Sequence, residues 1–171
     1  MTGFTIRLAR EEDADFLPDI ELAAGALFRT IEGLEGVAGM HAIPAAEQRR
    51  LIAKGHCLVA CSGDRLVGFL STEPHGRELS IREFSIHPDA QRRGLGSVLL
   101  RACAIDAHNS GFRAITLTTF TDVPWNAPFY ARHGFETVLD LDAHPRLKAD
   151  IAQEVDHGLP REQRCAMIKF L

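Results

Sequence analysis

Hydrophobic and polar positions follow two rhythms along this chain. Thr5-Ile6-Arg7-Leu8 alternates with a period of two and predicts a first strand. Behind the acidic run Glu11-Glu12-Asp13, Phe16, Ile20, Ala24 and Leu27 recur at helical spacing. They predict a helix with that set on its buried face, Pro18 either bending it or marking its true first turn. Residues 33–44 carry Gly33, Gly36, Gly39 and Pro44 and read as a mobile loop. A short helix follows over 45–54, ended by Gly55. Apolar runs at 57–61 and 66–70 flank Ser62-Gly63-Asp64 and predict an antiparallel hairpin. Glu73-Pro74-His75-Gly76 reads as another turn, leading into a strand over 78–86. On that strand Leu79, Ile81 and Glu83 fall on one face, with Ser80, Arg82, Phe84 and Ile86 on the other. The alternation is imperfect enough to admit a bulge.

The second half repeats the two rhythms. Leu95, Val98, Leu99, Ala102 and Ile105 form one stripe of a helix running from Gly96 to Ser110. Ala114 to Thr119 is β-branched and apolar, hence a strand. After the loop 121–125, Asn126 is placed to cap a short helix that tolerates Pro128 in its first turn and closes at Gly134. Phe135 to Leu139 reads as a strand, Pro145 to Asp156 as a helix and Cys165 to Leu171 as a final strand. Early strands are joined by turns and later ones by helices, which predicts an α/β (α+β) mixed sheet with helices on both faces.

Composition narrows this picture without redirecting it. A length of 171 residues, 46% hydrophobic and 25% charged, suits one soluble globular domain over residues 1–171. No apolar run reaches about 18 residues, so no membrane span is expected. Met1-Thr2-Gly3-Phe4 lacks the basic-then-apolar layout of a signal peptide. A net charge of −4 gives nucleic-acid binding no support. Cys57, Cys61, Cys103 and Cys165 fit no zinc pattern and read as reduced thiols of a cytoplasmic protein. The histidines show no paired ligand spacing, so no metal is expected. The apolar final strand is compatible with a homodimer.

Chemistry concentrates in Gln91-Arg92-Arg93-Gly94-Leu95-Gly96, which lies between a strand and a helix. The free N–H groups of a helix's first turn attract anions, glycines let the backbone approach closely, and arginines add forked donors. The segment is therefore expected to hold a phosphate-bearing ligand. A dinucleotide-binding reading fails because the third glycine of that fingerprint is missing.

Preceded by Ser85-Ile86-His87-Pro88, this hexapeptide is followed, one helix and one strand later, by Phe129-Tyr130-Ala131-Arg132-His133-Gly134-Phe135. The two motifs together resemble the GNAT superfamily, the acetyl-CoA-dependent N-acetyltransferases, across nearly the whole chain. The resemblance implies a mostly antiparallel central sheet of about seven strands. It implies that backbone N–H groups of residues 92–97, from Arg92 and Arg93 through Gly94, Leu95 and Gly96 to Ser97, hold the CoA pyrophosphate, with Gln91 opening the motif. It implies that Phe84, Ser85 and Ile86 pair with the pantetheine and offer an N–H to the acetyl carbonyl, and that Phe129 borders the cofactor. The family's cofactor-contacting Asn is matched here by Val123; Asn126 either takes that role or caps its helix.

By the same resemblance Tyr130 is the acid that protonates the departing thiolate. A thiol ionises near 8.5 and a phenol near 10, so the transfer is uphill by about 2 kcal/mol. The base has more to do, since an amine of pKa about 10.4 is neutral in roughly one molecule of 2,500 at pH 7, a cost of about 4.6 kcal/mol. Glu83 is the leading candidate, Glu21 a weaker one, and His87 is expected to face solvent. Residues 28–46 resemble the acceptor loop, in which Glu32 and Glu35 would attract a cationic amine while Phe28 and Trp125 wall the pocket. The expected reaction is direct attack of a primary amine on acetyl-CoA, without an acyl-enzyme. A non-catalytic acyl-CoA-binding module of the same fold is the other reading.

Overall fold

The computed structural model describes residues 3–40 and 42–171. Met1 and Thr2, from the N-terminal reading, and His41, from the 33–44 loop, lie outside them. The strands are β1 (Phe4–Leu8), β2 (Leu58–Ser62), β3 (Arg65–His75), β4 (Glu78–Ile86), β5 (Ala114–Phe120), β6 (Glu136–Thr137) and β7 (Arg164–Phe170). They form a seven-stranded sheet in the order β1-β2-β3-β4-β5-β7-β6. Every pairing is antiparallel except β4 with β5. The helices are α1 (Leu17–Gly25), α2 (Ala45–Ile52), α3 (Leu95–Asn109), α4 (Ala127–Arg132) and α5 (Pro145–Asp156).

Two layers of core cover the sheet. Leu58, Ala60 and Leu70 pack with Leu99, Cys103 and Ala107 of α3 and with Tyr130 of α4. On the other face Val59, Cys61 and Phe69 pack with Leu17, Ile20 and Leu51 of α1 and α2, while Leu147 and Ile151 of α5 meet Ala166. The period of two in β2 is what divides Leu58 and Ala60 from Val59 and Cys61.

Two irregularities in β4 place the site. Opposite β3, Ser71 pairs with Glu83 but Thr72 pairs with Ile81, so Arg82 is an extra residue in a bulge. The faces expected from simple alternation are thereby corrected. Phe84 and Ile86 lie against the same core as Leu79 and Ile81, and Glu83 turns to the α1 side, where it meets Glu21. Arg82 stays outside and pairs with Glu73, which also takes Arg50 and Lys54 at 2.9 Å each. Against the opposing effect of burial, Lys54, Arg50 and Arg82 hold the Glu73 carboxyl at about 2. Secondly, β4 and β5 pair only over Glu78–Ser80 and Ala114–Thr116. Beyond that they splay and leave the rest of β4 without a partner on that side.

Several local expectations are revised. Phe16 is 60% exposed because residues Glu11–Phe16 form a 3-10 turn and the α-helix begins at Leu17, with Pro18 in its first turn. The predicted turn at 73–76 is strand up to His75, and the reversal falls at Gly76-Arg77. Pro74 is tolerated there because β2 pairs with β3 no further than Leu70, so Pro74 sits on a locally free edge. On α3 the buried stripe is Leu95, Leu99, Leu100, Cys103 and Ala107, and Val98 and Ile105 are about half exposed. The strand at 135–139 shrinks to Glu136–Thr137. Residues 33–44 hold a 3-10 turn over Glu35–Gly39, with Leu34 buried beside Phe120 and Val123. β7, the apolar strand that suggested a dimer, is flanked by β5 and β6.

Candidate active site

The splay between β4 and β5 opens a cavity of about 790 Å³ that is lined from both faces of the sheet. Phe84, Tyr130 and the start of α3 come from one face, and Glu21, Glu83, Thr118 and Glu154 from the other.

At the α3 end the wall is mainly backbone. Gly94 sits at φ +77° and opens the helix, and open space surrounds the position a Cβ would take. Arg92 is the one non-glycine residue with positive φ among the described residues. A left-handed residue on each side of Arg93 curls the chain so that successive N–H groups turn inward at a helix N-terminus, which suits a phosphate. Gly96 has Phe129 and Phe84 at 3.6 and 3.7 Å from a virtual Cβ. Gln91, Arg92, Gly94, Leu95, Gly96 and Ser97 line the cavity. Arg93 does not; its guanidinium stacks 4.5 Å over the Phe4 ring on β1. The Gln91 side chain is occupied too, donating from Nε2 to the Ile86 carbonyl at 2.8 Å and tying the loop to β4. Ser97 Oγ lies 3.1 Å from His133 Nε2, which joins α3 to α4.

The splayed stretch supplies further backbone groups. His87 N–H donates to Val67 of β3, so by strand alternation the Ile86 N–H faces the opening. The Phe84 N–H donates to Glu83 Oε1 at 3.0 Å. Phe129 and Tyr130 stand opposite, their rings 6.2 and 6.4 Å from that of Phe84. Asn126 lines the cavity at the start of α4 but makes no side-chain cap; its Nδ2 donates to the Trp125 carbonyl at 3.1 Å.

The Tyr130 hydroxyl has no hydrogen-bond partner among the described residues. Burial, reinforced by the Glu83 and Cys103 charges and opposed by Arg164, pushes its pKa well above the usual phenol. It therefore stays protonated at any working pH. Glu83 Oε1 also accepts from Ser85 Oγ at 2.9 Å. Glu21, on α1, accepts the Ile43 N–H at 2.9 Å. Burial and the adjacent Glu83 carboxylate push Glu21 up to about 9. Glu21 thus carries a proton at neutral pH, as an acid close to another in a low-dielectric pocket does. Sequence spacing left Glu21 as a remote second choice, because the imperfect alternation of 78–86 admitted a bulge without fixing where it falls, and its place decides that Glu83 turns towards α1.

The far wall went largely unread. Phe28 and Trp125 do line it, with the Phe28 ring 5.3 Å from Phe120 and 5.7 Å from Trp125. Thr118, Glu154, Leu159 and Arg164 complete it. Glu32 and Glu35 are exposed and stand outside the lining. His87 also lies outside it, its Nδ1 accepting the Asp89 N–H. The thiols of Cys57, Cys61 and Cys103 are buried, and desolvation pushes Cys103 up to about 12. Among the described residues, no group of three or more His, Cys, Asp or Glu is placed to hold a metal, and no helix is long and apolar enough to cross a membrane.

Residues 53–137, spanning this backbone cradle and the strands before and after it, match the family described as acetyltransferase (GNAT) domain. The chain carries a GNAT acetyltransferase domain. Its fold recurs in PaiA N-acetyltransferase from Thermoplasma acidophilum in complex with coenzyme A, at 16% identity and TM-score 0.70 over 99% of each chain. It recurs in N-acetylglutamate synthase from Neisseria gonorrhoeae, complexed with coenzyme A and N-acetyl-glutamate. There the TM-score is 0.71 and the identity 17%, over 100% of this chain and 36% of that one. The ribosomal-protein-S18-alanine N-acetyltransferase from Escherichia coli is similar at 17% identity and TM-score 0.66, over 98% of this chain and 94% of that one. The splay follows the parallel pairing of Glu78–Ser80 with Ala114–Thr116.

Proposed function

We propose that this chain transfers the acetyl group of acetyl-CoA to a primary amine by direct attack within a ternary complex. One observation carries the reading: the backbone cradle, the unpaired stretch of β4, the Tyr130 hydroxyl and the Glu21–Glu83 pair all open into a single cavity. The bound coenzyme A named for two of the solved GNAT structures supports the choice of cofactor.

The steps then follow from the side chains present. Residues 92–97 hold the pyrophosphate on backbone N–H groups, and the strand-like pantetheine pairs with β4 beyond Ser80. An ammonium entering from the α1 side meets the acid pair. Glu83 Oε1 is held by Phe84 N–H and Ser85 Oγ, so Oε2 is the oxygen left to take the amine's proton, directly or through water. The free amine attacks the thioester carbon, and the developing oxyanion is met by backbone N–H, that of Ile86 being unclaimed. The intermediate collapses with cleavage of the C–S bond, the extra proton on the new amide nitrogen passes through water to the thiolate or to solvent, and Tyr130 donates a hydrogen bond to the leaving sulfur. Its raised pKa makes full proton transfer more uphill than the ordinary ~2 kcal/mol, so it stabilises the thiolate chiefly as a donor. The four cysteines take no part, since none of them lines the cavity.

The test is release of CoA, followed with a thiol reagent, from acetyl-CoA and a panel of amines. Amine-dependent release with a matching N-acetyl product is expected. Tight acetyl-CoA binding with no amine-dependent release would make the chain a non-catalytic acyl-CoA-binding module instead.

A further inference from the structure

The cavity's far wall holds a polar cluster that the transfer chemistry does not use. Arg164, at the start of β7, has a side chain only 8% exposed. Its Nε and Nη2 both donate to Glu154 Oε2, at 3.0 and 2.9 Å, and Nη2 reaches Thr118 Oγ1 at 3.4 Å. The Thr118 hydroxyl in turn donates to Glu154 Oε1. The guanidinium lies 4.6 Å over the Phe120 ring. Glu154 engages one side of the guanidinium, and Nη1 is left without a partner among the described residues. Nor is Nη1 sealed away from solvent: the only fully enclosed side-chain N or O atom lacking a partner among these residues is Gln48 Nε2.

What this cluster offers the cavity is therefore a donor in want of an acceptor. The charge of Glu154 is already met by Arg164 and Thr118. The two-hydrogen end of a guanidinium whose side chain is otherwise buried and backed by an aromatic ring is suited to a carboxylate. The same space is lined by Glu21 and Glu83, suited to an ammonium. Phe28, Phe120 and Trp125 give it an apolar wall.

We propose that Arg164 marks a carboxylate subsite, and that the acceptor is a primary amine bearing a carboxylate on an apolar or aromatic body. This rests on the acetyl-transfer reading and names its substrate class. Charge-assisted, desolvated hydrogen bonds of this kind discriminate by about 10- to 100-fold against an analogue lacking the group.

The experiment compares each acid with its decarboxylated partner: phenylalanine with phenethylamine, leucine with 3-methylbutylamine, 6-aminohexanoate with pentylamine. In the wild type, at least one acid should exceed its partner in kcat/KM by about 10- to 100-fold, mainly through KM. The preference should fall close to unity in the double variant R164M/E154Q, which removes both members of the ion pair. R164K, which keeps the charge but not the fork, should retain part of it. Damage to the fold alone would depress both amines of a pair together and leave the ratio in place. Ratios at or below one for every pair, or a ratio that survives in the double variant, would overturn the subsite. Should no amine be acetylated, calorimetry on the CoA-loaded protein with N-acetylphenylalanine and N-phenethylacetamide separates the two claims. Selective, Arg164-dependent binding of the acid would keep the subsite and sink the transfer reading; binding of neither would sink both.

Discussion

The two ends of the cavity are made of different material. At the α3 end the contacts are main-chain N–H groups of Arg92–Ser97 and of the unpaired part of β4. At the α1 and α5 end they are side chains: Glu21, Glu83, Glu154, Arg164 and three aromatic rings. Backbone donors carry no side-chain identity, so a ligand they hold must be the same across many chemistries. Side chains can be exchanged singly, so the end they line is where one amine is distinguished from another. The first end should fail all at once when its shape is filled, and the second piece by piece.

The largest effect is therefore expected at Gly96. A methyl there fits at ordinary van der Waals distance from Phe129 and Phe84, whereas Gly96→Glu brings a carboxylate to an anion site at a cost of several kcal/mol. Calorimetry should show acetyl-CoA affinity lowered about 100-fold or more, with Gly96→Ala close to wild type. Near-normal affinity in the glutamate variant would erase the contrast between the ends. Glu83→Gln should come next, with kcat about 100-fold or more below wild type and acetyl-CoA affinity unchanged. A fall in affinity of the same size would mean that the two ends are not separable. Tyr130→Phe should lower kcat by about 10-fold, the worth of one hydrogen bond to a charged sulfur, again without loss of acetyl-CoA binding.

The smallest effect is on stability and has a definite sign. Glu21 ionises near 4.5 in an unfolded chain and near 9 in the fold. Between those values the folded protein binds more protons than the unfolded one, so this group's contribution declines as pH rises through the window. Glu21→Gln keeps an acceptor for the Ile43 N–H and removes the titration. Its Tm at pH 8 should exceed that of the wild type by about 2–6 °C, with no gain at pH 4. An equal shift at both values would mean that Glu21 is not held protonated in the fold.

This division also explains what the sequence disclosed. Gln91 to Gly96 was legible because a backbone site needs glycines at set places, and such needs are local. Gly94 at φ +77° is the visible mark of one. Tyr130 was legible because it sits one residue from Phe129 in a contiguous motif. The succession of strands and the helix at Pro145–Asp156 followed from periodicity, and the opening beside β4 from the family resemblance. By contrast, Thr118, Glu154 and Arg164 come from β5, α5 and β7 and meet only because β5 pairs with β7 along its length. No spacing announces that. Arg93 looked like a phosphate ligand by its place in the motif, yet Phe4, almost ninety residues earlier, draws it to another surface. Glu83 was named from its closeness to the turn, but the face it occupies depends on β3.

That last point reaches beyond this site. The side of the sheet on which Glu83 lies is a question of parity, settled by the one extra residue, Arg82, between Ile81 and Glu83. Any substitution in β4 leaves the count unchanged. Were Arg82 to take a place in the ladder, plain alternation would send the carboxylate to the side packed by α3 and turn Phe84 and Ile86 out towards α1; loss of the Arg82 codon would instead remove the bulge and leave Glu83 opposite Ser71. The acid pair is thus encoded by a register as much as by two glutamates, and it is the bulge, not the identity of Arg82, that keeps the two acids on one side of the sheet.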